Sequence, residues 1–461
     1  MQATIRNLGP VKEAVIDIKP LTVFIGQNNT GKTWTAYLIA SVFSDFCYRR
    51  LLEDFKSGLI KYSEVDEVRS AIAKNGTALI DLIELQRDRG SQFLNDLAKI
   101  SSSSLGTYLG TDDSFFDELE FRLDPSDIMK EWSEGIINYA SSAKIITGPK
   151  GPEMLNIQKK NGEGSIKFYV TGREDDSKPL PSGIEDFSHD AVLDHLIRSI
   201  YHNIFFFPPE RIAYSSLALS PPKIEDIRYR IDSGSLNQSY PIANLMSMIA
   251  FIRDRSNLIN REKAASNEPQ VRRYLELAAL LRTELLKGEL QIIQSDSVLK
   301  ANKVLFQPMG AEGKTVEIPA TASLVKSLSP LYLYLTYVAR PGDLLVIDEP
   351  EMNLHPEAQA MIIELLAIIV NSGIRIIVTT HSPYIVDHLV NIMEGAKKER
   401  PDEAAEKFYL KTSEAFISKD KVSVYLFEDS TAKNVLSEEG MIDWGTFGDV
   451  SEKVSRIYFQ I

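Results

Sequence analysis

One cysteine in 461 residues, Cys47, excludes a disulfide framework and a cysteine-built metal site, and it fits a reducing cytosol. No apolar run reaches the roughly eighteen residues a membrane-spanning helix needs. The first residues lack the basic and apolar regions of a secretory leader, so the expected location is cytoplasmic, with no membrane partner. Positive charge is short: 51 Lys and Arg against 64 Asp and Glu leave a net charge of −13. That balance argues against a chain that coats nucleic acid, while leaving room for a local basic patch. No internal repeat with a period of about 20–50 residues occurs, and no low-complexity tract. No heptad pattern persists for about four repeats, which excludes a long coiled-coil arm. The six histidines form no H-E-x-x-H, and His195 and His202 fall on a plain amphipathic helix, read as structural. What remains is an ordinary globular composition, 44% hydrophobic and 25% charged, long enough for roughly two to four domain-sized units.

Into this unremarkable background comes "FIGQNNTGKT", residues 24 to 33, with the spacing G-x-x-x-x-G-K-T. Leu21 to Ile25 is a short run of β-formers and "TWTAYLIASVF" has helical spacing, so the loop joins a strand to a helix. Gly26 and Gly31 allow the backbone to turn its N–H groups, with those of Asn28, Asn29 and Thr30, toward phosphate oxygens. The helix opening at Gly31 adds a partial positive charge. Lys32 is placed to neutralise the β- and γ-phosphates, and the Thr33 hydroxyl to ligate Mg²⁺. The loop thus predicts ATP and Mg²⁺ as cofactors.

More than 300 residues on, "GDLLVIDEPEMNLHPEAQ" (342–359) carries a buried-strand run ending in Asp348 and Glu349. An acid at the carboxyl end of a strand beside a phosphate loop is placed to hold Mg²⁺. The second acid stands where a water attacking the γ-phosphate needs a general base. Pro356 opens a strong amphipathic helix expected to stop near Asn371 and Gly373. A further strand, "IRIIVTT", delivers His381 at its end, the place of a side chain that senses a γ-phosphate.

Taken in order, G-x-N-x-x-G-K-T, D-E-P, L-H-P and T-H-S-P resemble the ABC-type ATPase heads of the SMC/RecF/OLD class. The likeness is greatest to prokaryotic "AAA family ATPase" proteins related to OLD nucleases. It covers the opening through Thr33 and the stretch from about Pro319 to Asp387, and the tail from Asp420 onward looks similar too. It implies an α/β fold, an ABC-type P-loop ATPase head with a mixed sheet flanked by helices, interrupted by helical insertions. It makes Asp348 the Walker B acid, Glu349 the catalytic base, His381 the switch histidine, and Asn353 to His355 a D-loop. Such heads work as dimers sandwiching two ATP molecules, so a homo-oligomer is expected. The partner's signature motif would complete each site. Here that motif is degenerate: in "TASLVKSLSPLYLYL" (321–335) Ser323 matches the signature serine, but Leu324 replaces a glycine. Ser323 reads either as a phosphate ligand or as a plain N-cap. Related stand-alone heads sit in anti-phage defence beside a separately encoded nuclease, which makes such an effector the expected partner. A RecF-like DNA-repair ATPase is the alternative, and an OLD-like nuclease a third reading.

The chain divides by pattern into head residues 1–45, a helical insertion at 46–140 and a strand-rich part at 141–215. A short helical arm at 216–287, the second head part at 288–395 and a small C-terminal α/β segment at 396–461 follow. Within the insertion, "LLEDFKSGLIKY", "ALIDLIELQRD" and "QFLNDLAKI" read as helices, and "SSSS" at 101–104 as a loop. "MLNIQKKNGEGSIKFYV" reads as a hairpin turning at "NGEG". Arg253, Arg255, Arg261, Lys263, Arg272 and Arg273 gather in the arm, either as a solvated helix face or as a patch for DNA. Arg211, ending "NIFFFPPER", is read as facing the nucleotide or dimer cleft, or as half of an ion pair. "VSVYLFED" resembles the opening of a Toprim nuclease domain with Glu428 at a strand end. Only 33 residues follow Glu428 and hold no D-x-D, so no two-metal nuclease is expected.

Overall fold

The computed structural model describes residues 1–146, 153–170, 184–216, 239–252, 261, 263–266, 268–293, 303–444 and 456–457. They fall into two compact units, one of residues 1–3, 41–103 and 121–203, the other of 4–40, 104–120 and 204–461.

The larger unit is a mixed α/β structure built on one large sheet. Its strands are β1 (Gln2–Leu8), β2 (Val11–Asp17), β3 (Leu21–Gly26), β4 (Ile204–Phe207), β5 (Leu344–Asp348), β6 (Arg375–Thr380), β7 (Val422–Glu428) and β8 (Thr431–Asn434). In this unit the sheet runs β1-β2-β8-β7-β3-β6-β5-β4. The five strands β7-β3-β6-β5-β4 are mutually parallel, whereas β8 turns back antiparallel on β7. β3 and β5 are buried at every residue. That is why both read as unbroken apolar runs, since a parallel sheet is covered on both faces.

The helices of this unit used below are α1 (Lys32–Ser41), α2 (Tyr240–Ile252), α3 (Pro269–Leu280), α4 (Ser323–Tyr337), α5 (Pro356–Asn371) and α6 (Pro383–Gly395). α5 begins and ends where its sequence signals put it: His355 is the N-cap, accepting from the Glu357 N–H, Pro356 opens the first turn, and Gly373 takes φ 93° just beyond. Ile362, Leu366 and Ile369 of α5 share one core cluster with Leu328, Leu331 and Leu335 of α4. The stretch read as a helical arm contains α2 and α3. They bury Leu245, Met248 and Ile252, and Tyr274 and Leu277, in the same cluster. Asn244 of α2 also covers the edge strand β4: its Nδ2 donates to Ile204 O, and its Oδ1 accepts from Phe206 N–H, both at 3.1 Å. An edge paired in this way offers no free ladder to another chain.

The smaller unit has helices Asp45–Ser57, Ser63–Asn75, Leu82–Ser103, Met129–Asn138 and Ile184–Arg198. Its four-stranded antiparallel sheet runs Thr77–Asp81, Ser165–Val170, Glu153–Lys159, Ser141–Ile146. The hairpin at "NGEG" is present. Two expectations fail. "ALIDLIELQRD" starts as a strand, because Thr77–Asp81 pairs with Ser165–Tyr169 and that pairing overrides its helical spacing. "SSSS" is not a loop: Leu82–Ser103 runs through its first three serines, and buried Ser101 hydrogen-bonds Ser41.

Candidate nucleotide site

Parallel pairing brings sequence-distant motifs to one end of the sheet. Ile25 registers with Thr380, Asp348 with Thr379, and Ile347 with Phe207. The phosphate loop after β3, the acids ending β5, the histidine after β6 and the Pro-Pro-Glu-Arg corner after β4 therefore share the carboxyl edge. In open α/β sheets this is where ligands bind.

The loop takes its shape from its glycines. Gly26 has φ 134°, and a Cβ there would lie 2.5 Å from the Phe427 carbonyl oxygen of β7. Gly31 has φ 96°, and a Cβ would lie 2.5 Å from Val11 Cγ2. No side chain fits either place. Asn29 takes φ 62°, a left-handed conformation that asparagine tolerates. Gln27, Asn28 and Asn29 are exposed, with Thr30 half-buried. Lys32 is 5% exposed. Its Nζ donates to Gly26 O at 3.0 Å, Gln27 O at 2.5 Å and Thr30 Oγ1 at 3.4 Å. Among the described residues it has no carboxylate partner. Burial lowers its ammonium to about 8, against the opposing pull of Asp348, Glu349 and Glu351. A buried cation held, among the described residues, only by neutral oxygens of its own loop is suited to receive an anion.

Asp348 lies opposite, buried. Thr33 Oγ1 donates to its Oδ1 at 3.1 Å, Thr379 Oγ1 bonds the same oxygen, and Tyr37 OH donates to Oδ2 at 3.3 Å. Burial pushes its carboxyl above the usual range, and the bonds from Thr379 and Thr33 work in the opposite direction. The donor set where Thr33 and Asp348 meet is all oxygen, which suits Mg²⁺.

Glu349 holds a left-handed backbone, φ 49°, which costs a non-glycine residue roughly 1–2 kcal/mol. Two contacts hold it there. Its N–H donates to Thr379 O at 3.0 Å, and Arg211 Nη2 donates to its carbonyl oxygen at 2.6 Å. Its side chain meets His381, Oε1 to Nε2 at 3.4 Å. The hydrogen bond from His381 is the main reason its carboxyl sits below the usual range.

Arg211 is buried rather than in an open cleft, and it forms no ion pair among the described residues, which corrects the sequence reading. It is 2% exposed. Besides Glu349 O it donates to Asp348 O at 2.6 Å, Pro208 O at 3.1 Å, Ser327 O at 3.3 Å and Ser327 Oγ at 3.2 Å. One guanidinium fork thus fixes the end of β5 and ties it to α4. Lysine cannot reproduce a fork. Arg211→Lys is therefore expected to lower kcat for ATP about tenfold or more with little change in KM, in line with the worth of hydrogen bonds to a charged group. Steady-state kinetics on the two proteins checks this, and an unchanged kcat would show that the fork does not position Glu349.

Other expectations disperse. Ser323 stands exposed at the first residue of α4, and Ala322, not Ser323, is the N-cap, without a side-chain bond. The plain N-cap reading is therefore wrong: a cap precedes the first helical residue, and Ser323 is already helical. The basic cluster divides: among its described members Lys263 and Arg272 are exposed and two others are engaged. Arg261 is buried and donates to Ala339 O at 2.8 Å, and Arg273 bonds Glu414 at 2.6 Å and Glu276 at 3.3 Å. Arg253 and Arg255 lie outside the described residues. Glu428 ends β7 inside the main sheet, paired to Lys433 at 3.0 Å. Sequence reasoning passed over Tyr37 and Thr379. Tyr37 lies one helical turn after Thr33, a spacing that puts both on one face. Thr379 had no comparable signal.

Residues 242–386 match a family model described as an AAA ATPase domain. The matched stretch takes in Ser323, Asp348, Glu349 and His381 and stops short of the phosphate loop. It supports nucleotide binding and ATP hydrolysis in general. No curated protein matches the chain. Among solved structures, an SmcHead bound to the C-winged helix domain of ScpA is similar, with 12% identity, a TM-score of 0.38 and coverage of 95% of this chain and 97% of that one. An Smc head domain with an extended coiled coil, bound to the C-terminal domain of ScpA from Pyrococcus furiosus, gives 12%, 0.37, 99% and 98%. The SMC head domain from Thermotoga maritima gives 11%, 0.29, 95% and 98%.

Proposed function

We propose that the protein is a Mg²⁺-dependent ATPase whose nucleotide cycle switches its own assembly and, through it, a separate effector. The observation that carries this is the meeting of three remote segments at one mouth: buried Lys32 in its loop, Thr33 on Asp348, and Glu349 facing His381. Lys32 gives up its loop carbonyls to bind the β- and γ-phosphates, aided by N–H groups of residues 26–33. Thr33 and Asp348 hold Mg²⁺, which when bound neutralises phosphate charge and orients the triphosphate. Glu349 orients the attacking water and takes its proton; His381 reports the γ-phosphate to the turn that carries it. The incoming phosphate charge raises the basicity of Glu349 at the moment it is needed.

By its resemblance to OLD-related heads, the cycle acts in cytoplasmic anti-phage defence, with a nuclease as the effector. Exposed Ser323 is free to approach a second copy's nucleotide, which supports a dimer unit. A RecF-like DNA clamp draws less support, since Arg261 and Arg273 of the expected basic patch are engaged within the chain. No described helix is long and apolar enough to cross a membrane. The test uses Glu349→Gln, which should trap ATP. Purified protein should shift to a larger species by light scattering when Mg·ATP is added, and pull-downs from the native host should recover the same effector only with ATP. An unchanged size and a nucleotide-independent pull-down would reject the switch.

A further inference from the structure

Glu351 is the third acid of D-E-P-E. Its Oε1 accepts from Thr380 Oγ1 at 2.8 Å and from the His381 N–H at 2.7 Å. The Ser382 N–H closes the same turn by donating to Thr380 Oγ1 at 3.0 Å. Its Oε2 is buried and has no hydrogen-bond partner among the described residues. Burial pushes the carboxyl above its usual range, and its bonds at His381 and Thr380 oppose that. A half-satisfied buried carboxyl is a cost to folding, so its place in the fold calls for an explanation. The explanation lies in what it joins. The Glu351 carbonyl accepts from the Leu354 N–H at 2.9 Å in the turn that leads to α5. One side chain therefore fastens the turn after β5 to the turn after β6, and the latter carries the imidazole that faces Glu349.

We propose that Glu351 is a positioning residue that sets the His381 ring against Glu349 by fixing the peptide of residues 380–381. The inference rests on the ATPase reading above. A purely structural role is a poorer account, because the far side of the turn is secured independently. Ser382 Oγ donates to Gln359 Oε1 at 2.5 Å and accepts from the Ile385 N–H at 3.2 Å, which starts α6 without Glu351. Losing Glu351 frees the His381 peptide and leaves α6 anchored.

The test is a double-mutant cycle on the full chain: kcat, KM and thermal midpoint for Glu351→Ala, Glu351→Gln, His381→Ala and Glu351→Ala with His381→Ala. Thr380→Val serves as a milder break of the same clasp should Glu351→Ala not fold. Glu351→Ala should lower kcat about tenfold or more with KM little changed. Glu351→Gln should stay within about threefold of wild type, because the amide oxygen still accepts both bonds. The double mutant should be no slower than His381→Ala alone, since residues acting as one unit do not add. Thr380→Val should show a smaller loss that likewise vanishes in the His381→Ala background. Multiplying losses, a wild-type kcat for Glu351→Ala, or a Glu351→Gln as slow as Glu351→Ala would each overturn the inference. If His381→Ala itself turns over normally, the ATPase role given to His381 fails instead, and the clasp has nothing to position.

Discussion

Glu349→Gln lowers steady-state ATP turnover roughly 10²–10⁴-fold, the usual worth of a general base, and leaves ATP binding in place. Glutamine keeps the size of the side chain and can still meet His381. It cannot take a proton from water. The backbone that presents it, held at φ 49° by Arg211 and the Thr379 carbonyl, does not depend on the carboxylate, so the loss reports chemistry rather than geometry. In the wild type the carboxyl is held below its usual range by His381, so it is ionised at neutral pH and ready to accept. Binding survives because the phosphate contacts belong to the loop and to Lys32. Phosphate release and nucleotide binding measured on the same preparations separate the two. A mutant that hydrolyses at the wild-type rate places the base elsewhere.

Lys32→Ala abolishes turnover and weakens ATP binding, because it removes the one buried cation aimed into the loop. The wild-type lysine also makes binding pH-dependent in a definite direction. Without nucleotide its ammonium sits at about 8. Bound phosphate favours the charged form and raises that value. Below about 8 both states are charged and affinity is flat. Above it the free site is neutral and must take up a proton to bind, so affinity falls with rising pH, about tenfold per unit at the steepest. Titration of Mg·ATP across this range, for wild type and Lys32→Ala, should show the slope only in the wild type. A flat wild-type profile would mean that Lys32 does not meet the phosphates.

The sequence was most informative where the signal is local. The loop at 26–33 needs two glycines and a lysine in fixed places, and α5 declares itself by Pro356, Asn371 and Gly373. The buried runs of β3 and β5 followed from apolar continuity alone. Long-range pairing was less visible. Nothing in "VSVYLFED" says that β7 lies against β3, some 400 residues earlier, with Phe427 over Gly26. Arg211 was legible as a corner residue but not as a fork on backbone oxygens, since carbonyl acceptors leave no mark in a sequence. Glu351 was hidden for the same reason, because half its work is on the N–H of His381. Arg261, read with the basic residues of the arm, shows the opposite difficulty. Periodicity places arginines on a helix but does not say that Arg261 turns inward to Ala339 O.

Phosphate release from ATP by the purified protein, with Mg²⁺ and with EDTA, beside Lys32→Ala, decides whether this loop is a catalytic nucleotide site. Turnover that needs Mg²⁺ and disappears in the mutant is the predicted result. Metal-independent release, or equal release by wild type and Lys32→Ala, would contradict the assignment of this loop as the catalytic nucleotide site.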